Sequence, residues 1–444
     1  MLSTAPGLCG HFAERSARQP PRTRPATQTG RPWCLVLRDS PAGIPDGRPA
    51  GYQAVYEFLG VEPILNAAGP ATRLGGLPMD PRVAGAMVTA SQSCVRMEEL
   101  QHAAGAYLAT ATGTQAALVT CGAGAALTLA VAACLTGYDV GATNRLPRVA
   151  GREPRVLMLR AQRYPYDHLV GVAGAKISEV GYPQLTHLYE IREALTADVA
   201  AFLFYPNQTS ESPALTEIVT ACHDRGVPVI VDAALQDCPP VVDRTWVEAG
   251  ADLVLFSGGK TIGGPQASGA LCGRRDLVEA AMLQNLDMDV HEETWVLRRM
   301  LDDGTVARPP HHGIGRAMKV GKEEIAGMVT AVRLFQQRDY AAYLAGLEQR
   351  AGDLVAALTA RADVRATVVA TGYAPLVRLD FGDDHEHGDV WKVLRRLQEG
   401  SPRVHLNESL AWRGVAIADL RGIDPADDAV LRQALHEALA QTRR

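Results

Sequence analysis

Several features that would place a chain outside the ordinary globular class are missing here. The eight cysteines (Cys9, Cys34, Cys94, Cys121, Cys134, Cys222, Cys238 and Cys272) stand singly, with no Cys-x-x-Cys pair. That argues against a disulfide framework and for reduced, mostly buried thiols packing as small apolar groups. A formal net charge of -5 over 444 residues gives no general pull on nucleic acid or anionic membrane. The longest apolar stretch, around Ala123–Leu135, is short of the roughly 20 residues needed to cross a bilayer. No apolar run follows the start, so a secretory signal is not expected and the protein reads as cytoplasmic. No internal repeat is present. His311-His312 has no third ligand at recognisable spacing, so no metal is inferred.

What is present is ample material for a packed core, with 47% hydrophobic residues and a length that suggests about two to three domains. Residues 1–50 differ from the rest. Arg15, Arg18, Arg22, Arg24 and Arg31 alternate with Pro20, Pro21, Pro25 and Pro32. Such a segment buries too little apolar surface to offset its ordering entropy, and it is expected to be a disordered extension. An organelle transit peptide or a start codon placed too far upstream would look the same. From Tyr52 onward, short apolar runs alternate with helical patterns. The runs are Ala116–Cys121, Arg155–Leu159, Ala200–Tyr205, Val227–Asp232, Ala251–Ser257 and Gly269–Gly273, and helix-like segments include Ala125–Leu135 and Leu215–Arg225. This alternation predicts an α/β fold with a mainly parallel sheet covered on both faces. After about Arg308 come a long helical stretch Lys322–Gln349, then Leu354–Arg361, a strand-like Leu376–Phe381 and a final helix near Asp427–Thr442. The expected division is therefore 1–50, a large domain with an N-terminal arm at 51–307, and a smaller α+β domain at 308–444.

Three places carry chemistry. Lys260 follows Ser257-Gly258-Gly259 at the carboxyl end of an apolar strand, where ligands sit in open α/β sheets. A lysine whose pKa falls on burial is a nucleophile for carbonyls; the plainer alternative is a surface lysine in a flexible loop. Asp232 ends another apolar strand, and a carboxylate there could pair with a protonated pyridine nitrogen, although a helix N-cap is the commoner use. The turn Cys121-Gly122-Ala123-Gly124-Ala125 joins a strand to a helix, where backbone amides and the helix dipole suit a phosphate. It does not follow Gly-x-Gly-x-x-Gly, so a nicotinamide cofactor is not supported.

Phosphate turn, carboxylate and lysine occur in that chain order, and here a resemblance becomes specific. Asp232-Ala233-Ala234, Phe256–Lys260 (FSGGK) and Gly263–Gly269 (GGPQASG) resemble the selenocysteine synthase (SelA)-like family of pyridoxal-phosphate (PLP) enzymes of the aspartate-aminotransferase fold, type I. So do Ile64–Gly69 (ILNAAG), Tyr164–His168 (YPYDH), Gly174–Gly181 (GAKISEVG) and Gly313–Glu324 (GIGRAMKVGKEE). The likeness runs from about Val61 to Phe335. It implies that Lys260 carries PLP as a Schiff base and that Asp232 holds the pyridine nitrogen. Gly122, Ala123 and Gly124 would bind the phosphate through their amides, with the Ser257 hydroxyl. His168 or Tyr164 would stack on the ring.

For the substrate carboxylate, Arg378 is the first candidate, with Arg73 and Arg316 beside it. Lys319 and Lys322 share a helix face suited to a phosphate, or to solvent. The family includes L-seryl-tRNA(Sec) selenium transferase and D-glucosaminate-6-phosphate ammonia-lyase, and Arg316–Glu324 reads closer to the ammonia-lyase branch. The expected reaction is loss of the α-proton, with Lys260 as base, and then of a β-substituent from an amino acid or amino-sugar acid. Selenium transfer to seryl-tRNA is the alternative. Against it, Ala71–Gly76 (ATRLGG) stands where the transferases have His-Thr-Asn-Leu-Gly-Arg, and the start shows no tRNA-gripping domain. Racemase, aldolase and aminotransferase chemistry share the first half-reaction, and a non-catalytic scaffold is the remaining class. The resemblance implies at least a homodimer.

Overall fold

In this computed structural model the described residues are 53–151, 153–206, 210–235, 241, 243–359, 364–370, 374–382 and 388–440. The expected Pro/Arg-rich extension at 1–50 lies outside them, as do Cys9, Cys34 and Cys238. The chain divides into two compact units, Met1–Pro63 and Ile64–Arg444. In the first, Gln53–Phe58 is helical. All that follows concerns the second.

Its strands are β1 (Ile64–Ala67), β2 (Ala116–Thr120), β3 (Arg155–Leu159), β4 (Lys176–Val180), β5 (Val199–Phe204), β6 (Val229–Asp232), β7 (Leu253–Ser257), β8 (Gly269–Gly273), β9 (Arg365–Ala370), β10 (Pro375–Asp380), β11 (Arg403–Leu406) and β12 (Val415–Ala418). Seven form one sheet in the order β2-β8-β7-β6-β5-β3-β4. Every neighbouring pair is parallel except the two made by β8. The six apolar runs of the sequence supply six of these strands. They are apolar on both faces because both faces are covered. Leu118 and Leu255 pack with the helices Ala123–Thr136 and Arg275–Asn285 on one side. Val119 and Phe256 pack on the other with Leu108 and Met328, from the helices Met97–Thr112 and Lys322–Gln337. The seventh strand, β4, is half polar (KISEV), as suits its place at the sheet's edge.

The stretch expected as one helix, Lys322–Gln349, is two. Lys322–Gln337 ends at Arg338, whose backbone is extended, and Tyr340–Thr359 follows. Asp339 Oδ1 accepts from the Ala342 amide at 3.0 Å and starts the second helix. The Arg338 guanidinium lies over the rings of Phe335, Tyr340 and Tyr343, 4.5 Å from the last, which fixes the bend. The separate segment expected at Leu354–Arg361 is, as far as Thr359, the continuation of this second helix.

A second core gathers Leu347, Leu354, Leu379, Val393, Leu406 and Leu435. It lies between the antiparallel sheet β12-β10-β9 and the helices Tyr340–Thr359, Gly388–Glu399 and Asp428–Ala440. Among the described residues no helix is long and apolar enough to cross a membrane. Five described cysteines are free thiols, with Cys222 and Cys272 buried, Cys121 and Cys134 partly so, and Cys94 exposed.

Candidate active site

One edge of the seven-stranded sheet collects the expected residues. Asp232 ends β6 and Ser257 ends β7. Because β8 runs the other way, its first residue, Gly269, stands at the same edge, paired with both Ser257 and Thr120, the last residue of β2. The strand carboxyl ends are where open α/β sheets take ligands.

Beyond Thr120 the chain turns at Gly122 (φ 139°) into the helix Ala123–Thr136. A side chain rarely tolerates that φ, so glycine is the residue for it. The first amides of a helix have no partner within it and point outward at its positive end, which suits an anion. The Thr120 hydroxyl pins the turn by donating to the Gly122 carbonyl at 2.9 Å. A Cβ on Gly269 would lie 2.7 Å from the Gly122 carbonyl carbon and 2.8 Å from the Ala123 nitrogen. Strand β8 is therefore the floor of the turn, and only glycine leaves room there.

The lysine loop is built with the same economy of space. The Gly258 amide donates to Ser268, Gly264 to Gly258, and Gly263 to Lys260, at 2.9, 2.8 and 2.9 Å. A Cβ on Gly259 would lie 2.6 Å from the Gln266 Cα, and one on Gly258 2.4 Å from Met328 Sδ. The loop is thus packed rather than loose. Lys260 is partly buried, and its Nζ donates to the Ala234 carbonyl at 2.8 Å. Burial lowers its pKa, opposed by the charge of Asp232.

Asp232 is 4% exposed. Its Oδ1 accepts from the Ala234 amide at 2.9 Å, and its Oδ2 accepts from the Tyr164 hydroxyl. Burial raises its pKa; the Tyr164 hydroxyl, the Ala234 amide and Lys260 act the other way. Lysine, carboxylate and Ala234, two residues beyond the carboxylate, thus form one connected group.

The other expected residues are placed as follows. Tyr164 is at the site, with its ring stacked on Tyr205 (4.2 Å between centroids, 5° between planes). His168 is exposed, its Nδ1 2.8 Å from the Pro165 carbonyl oxygen. Each candidate arginine pairs with a carboxylate: Arg73 with Glu408 at 2.9 Å, Arg378 with Asp380 at 2.9 Å, and Arg316 with Asp287 at 2.5 Å. Arg316 also lines a cleft of about 460 Å³ together with Lys319, Lys322 and Cys121, the residue before the phosphate turn. Asp287, Asp289 and His312 come close enough to share an ion, but all three are exposed and Asp287 is already held by Arg316. Sequence reasoning missed Tyr205 and the Ala234 carbonyl. Tyr205 directly follows β5 at the same edge as Asp232, and that position was the available signal.

The residues fit PLP. An amine sits beside a buried carboxylate, and a glycine-floored helix start opens from the same sheet edge to take a phosphate. The family model described as L-seryl-tRNA selenium transferase matches residues 96–290. The chain is 30% identical over 412 residues to a 5'-C-glycyluridine monooxygenase-decarboxylase of a Streptomyces species, covering 89% of this chain and 94% of that enzyme. It is 29% identical over 290 residues to the D-glucosaminate-6-phosphate ammonia lyase of Salmonella typhimurium, 64% of this chain and 70% of that one. A solved D-glucosaminate-6-phosphate ammonia-lyase superposes with a TM-score of 0.72 at 25% identity, over 88% of this chain and 99% of that one. Sequence and fold agree: the chain is an enzyme belonging to the selenocysteine synthase (SelA)-like family of fold-type I PLP enzymes.

Proposed function

We propose that this protein is a PLP-dependent lyase of the ammonia-lyase type, acting on an amino acid or amino-sugar acid by Cα deprotonation and β-elimination. The observation that carries this reading is the connected group of Lys260, Ala234 and Asp232 at the strand ends. Its similarity to the ammonia-lyase supports it over most of the chain. PLP, when bound, serves as a sink for the electron pair left at Cα.

The chain's residues do the rest. The amides of Gly122, Ala123 and Gly124, with the Ser257 hydroxyl, hold the phosphate. Asp232 keeps a proton on the pyridine nitrogen. Lys260 would hold the cofactor, and its amine, more readily neutral because buried, would be the base that takes the α-proton. The Cα–H and Cβ–O bonds break, and a hydroxyl leaves as water with that proton. The enamine released takes up water to give a keto acid and ammonia. His168 is proposed to cover the ring. For the substrate's anionic group Arg316 is preferred over Arg73 and Arg378, since it lines the cleft that reaches the phosphate turn, with Lys319 and Lys322.

A second reading has its own support. Identity of 30% over 94% of a monooxygenase-decarboxylase favours loss of the carboxylate, with dioxygen, from the same carbon. Selenium transfer to tRNA stands further back, because Ala71–Gly76 departs from the transferase pattern. The division at 51–307 and 308–444, a homodimer or larger homo-oligomer, and a cytoplasmic location belong to the same proposal. The second core supports a separate C-terminal part.

The test supplies the PLP-loaded enzyme with small hydroxy-amino acids and amino-sugar acids, D-glucosaminate 6-phosphate included. Ammonia, keto acid, carbon dioxide and dioxygen are measured together. Equal amounts of ammonia and keto acid without gas exchange support elimination. Carbon dioxide release with dioxygen uptake replaces it with the second reading.

A further inference from the structure

Asp232 is seated by a group that the proposed chemistry leaves unused. The Tyr164 hydroxyl donates to Oδ2, while the Ala234 amide takes Oδ1. That hydroxyl is itself held in place from two sides. The ring lies flat on Tyr205, whose amide donates to the fully buried Gln162 at 3.1 Å. The Tyr164 amide donates at 3.0 Å to Asp167, a buried carboxylate clamped by Arg163.

We propose that Tyr164 is a positioning residue for Asp232: its fixed hydroxyl keeps the buried carboxylate ionised and aimed, so that it accepts a proton-bearing ring nitrogen. This rests on the reading that Asp232 faces the pyridine nitrogen. The physical need is plain. A carboxylate this buried drifts toward its neutral form, and a neutral acid donates where an acceptor is required. A hydrogen bond to the charged form opposes the drift. An ionised carboxylate has about four acceptor positions, and two donors leave room for a third. Besides these donors, Lys260 faces Asp232, while Asp167 and Tyr205 face Tyr164. Burial and the charge of Asp232 push the Tyr164 pKa up, so the phenol keeps the proton it donates.

The test follows the Asp232 carboxyl by infrared spectroscopy in the full-length PLP-loaded enzyme carrying 13C-aspartate, with Asp232→Asn to identify the band. In Tyr164→Phe the titration midpoint is expected to rise by about one pH unit. Tyr205→Phe, which keeps the stacked ring, should titrate like the wild type. If Tyr164→Phe loses its fold by circular dichroism, Tyr205→Leu frees the phenol instead and should shift the midpoint in the same direction. An unchanged midpoint overturns the proposal.

A second measurement compares affinity for PLP with that for its analogue bearing carbon in place of the ring nitrogen. The wild type should prefer PLP, and Tyr164→Phe should lose about tenfold of that preference with the analogue unaffected. A wild type without preference overturns the assignment of Asp232 to the ring nitrogen, while the titration still decides whether Tyr164 governs Asp232.

Discussion

Replacing Gly269 with alanine puts a methyl group where none fits. The added carbon would stand 2.7 Å from the Gly122 carbonyl carbon, 2.8 Å from the Ala123 nitrogen and 2.9 Å from the Phe256 carbonyl oxygen. All three neighbours are backbone atoms, so no side chain can swing aside. Forcing a carbon into such packing costs about 1–3 kcal/mol. If the turn yields, its amides leave the phosphate, and the Kd for PLP rises about 5- to 150-fold. If β8 yields instead, the same cost appears as lost stability. Both are measured on one preparation, by spectroscopic titration with PLP and by urea unfolding of the apoprotein. Gly85→Ala is the control, since nothing lies within 4 Å of its Cβ and alanine favours the helix Pro81–Ser91. A Gly269→Ala protein with wild-type Kd and wild-type unfolding midpoint would refute the placement of β8 beneath the phosphate turn.

Three further outcomes are expected. Capture of PLP by the apoprotein requires the neutral Lys260 amine; burial lowers its pKa, so the capture rate should rise with pH about a midpoint below the ordinary 10.5. A midpoint at or above that value contradicts the burial of Lys260. Asp252 sits buried at the opposite, amino end of β7, where it accepts from His223, the Val229 amide and Arg274 at 2.8, 2.8 and 3.0 Å. Asp252→Ala should cost about 3 kcal/mol in urea unfolding and leave the Kd for PLP unchanged; loss of affinity would show the two sheet ends are coupled. Asp80 caps the helix Pro81–Ser91, and its hydrogen bonds to Arg82 hold its pKa down to about 2. A depressed carboxylate stabilises above its unfolded value and loses that contribution as pH falls. The cap effect, about 1 kcal/mol against Asp80→Ala, should therefore be full at pH 7 and fade between about pH 4 and pH 2. An equal difference at both pH extremes would argue against the ionised cap.

The sheet was legible wherever burial made its strands apolar. Six runs were read directly because a strand covered on both faces keeps its polar residues to its ends, as with Arg155, Thr120, Asp232 and Ser257. Edge strand β4 escaped, since Lys176, Ser178 and Glu179 break the run. The helix break at Arg338 escaped too, because neither glycine nor proline marks it. The Arg338 guanidinium lies over three rings of the same short stretch, Phe335, Tyr340 and Tyr343, an arrangement of side chains rather than a backbone-breaking residue. At the site, Lys260, Asp232 and Gly122 were visible as strand-end chemistry. The partner of Asp232 was not: Tyr164 lies 68 residues away in sequence, and no local pattern encodes a hydrogen bond of that span. Nor did the sequence show that Arg73, Arg316 and Arg378 each already face a carboxylate.

The most direct test of the central claim is to find where PLP attaches. The full-length enzyme is loaded with PLP, reduced with borohydride, digested and analysed by mass spectrometry, beside Lys260→Ala treated in the same way. The expected result is a single phosphopyridoxyl adduct on Lys260 and no stoichiometric label in the variant. A protein that takes up no PLP, or one labelled as fully without Lys260, would contradict the assignment of this site.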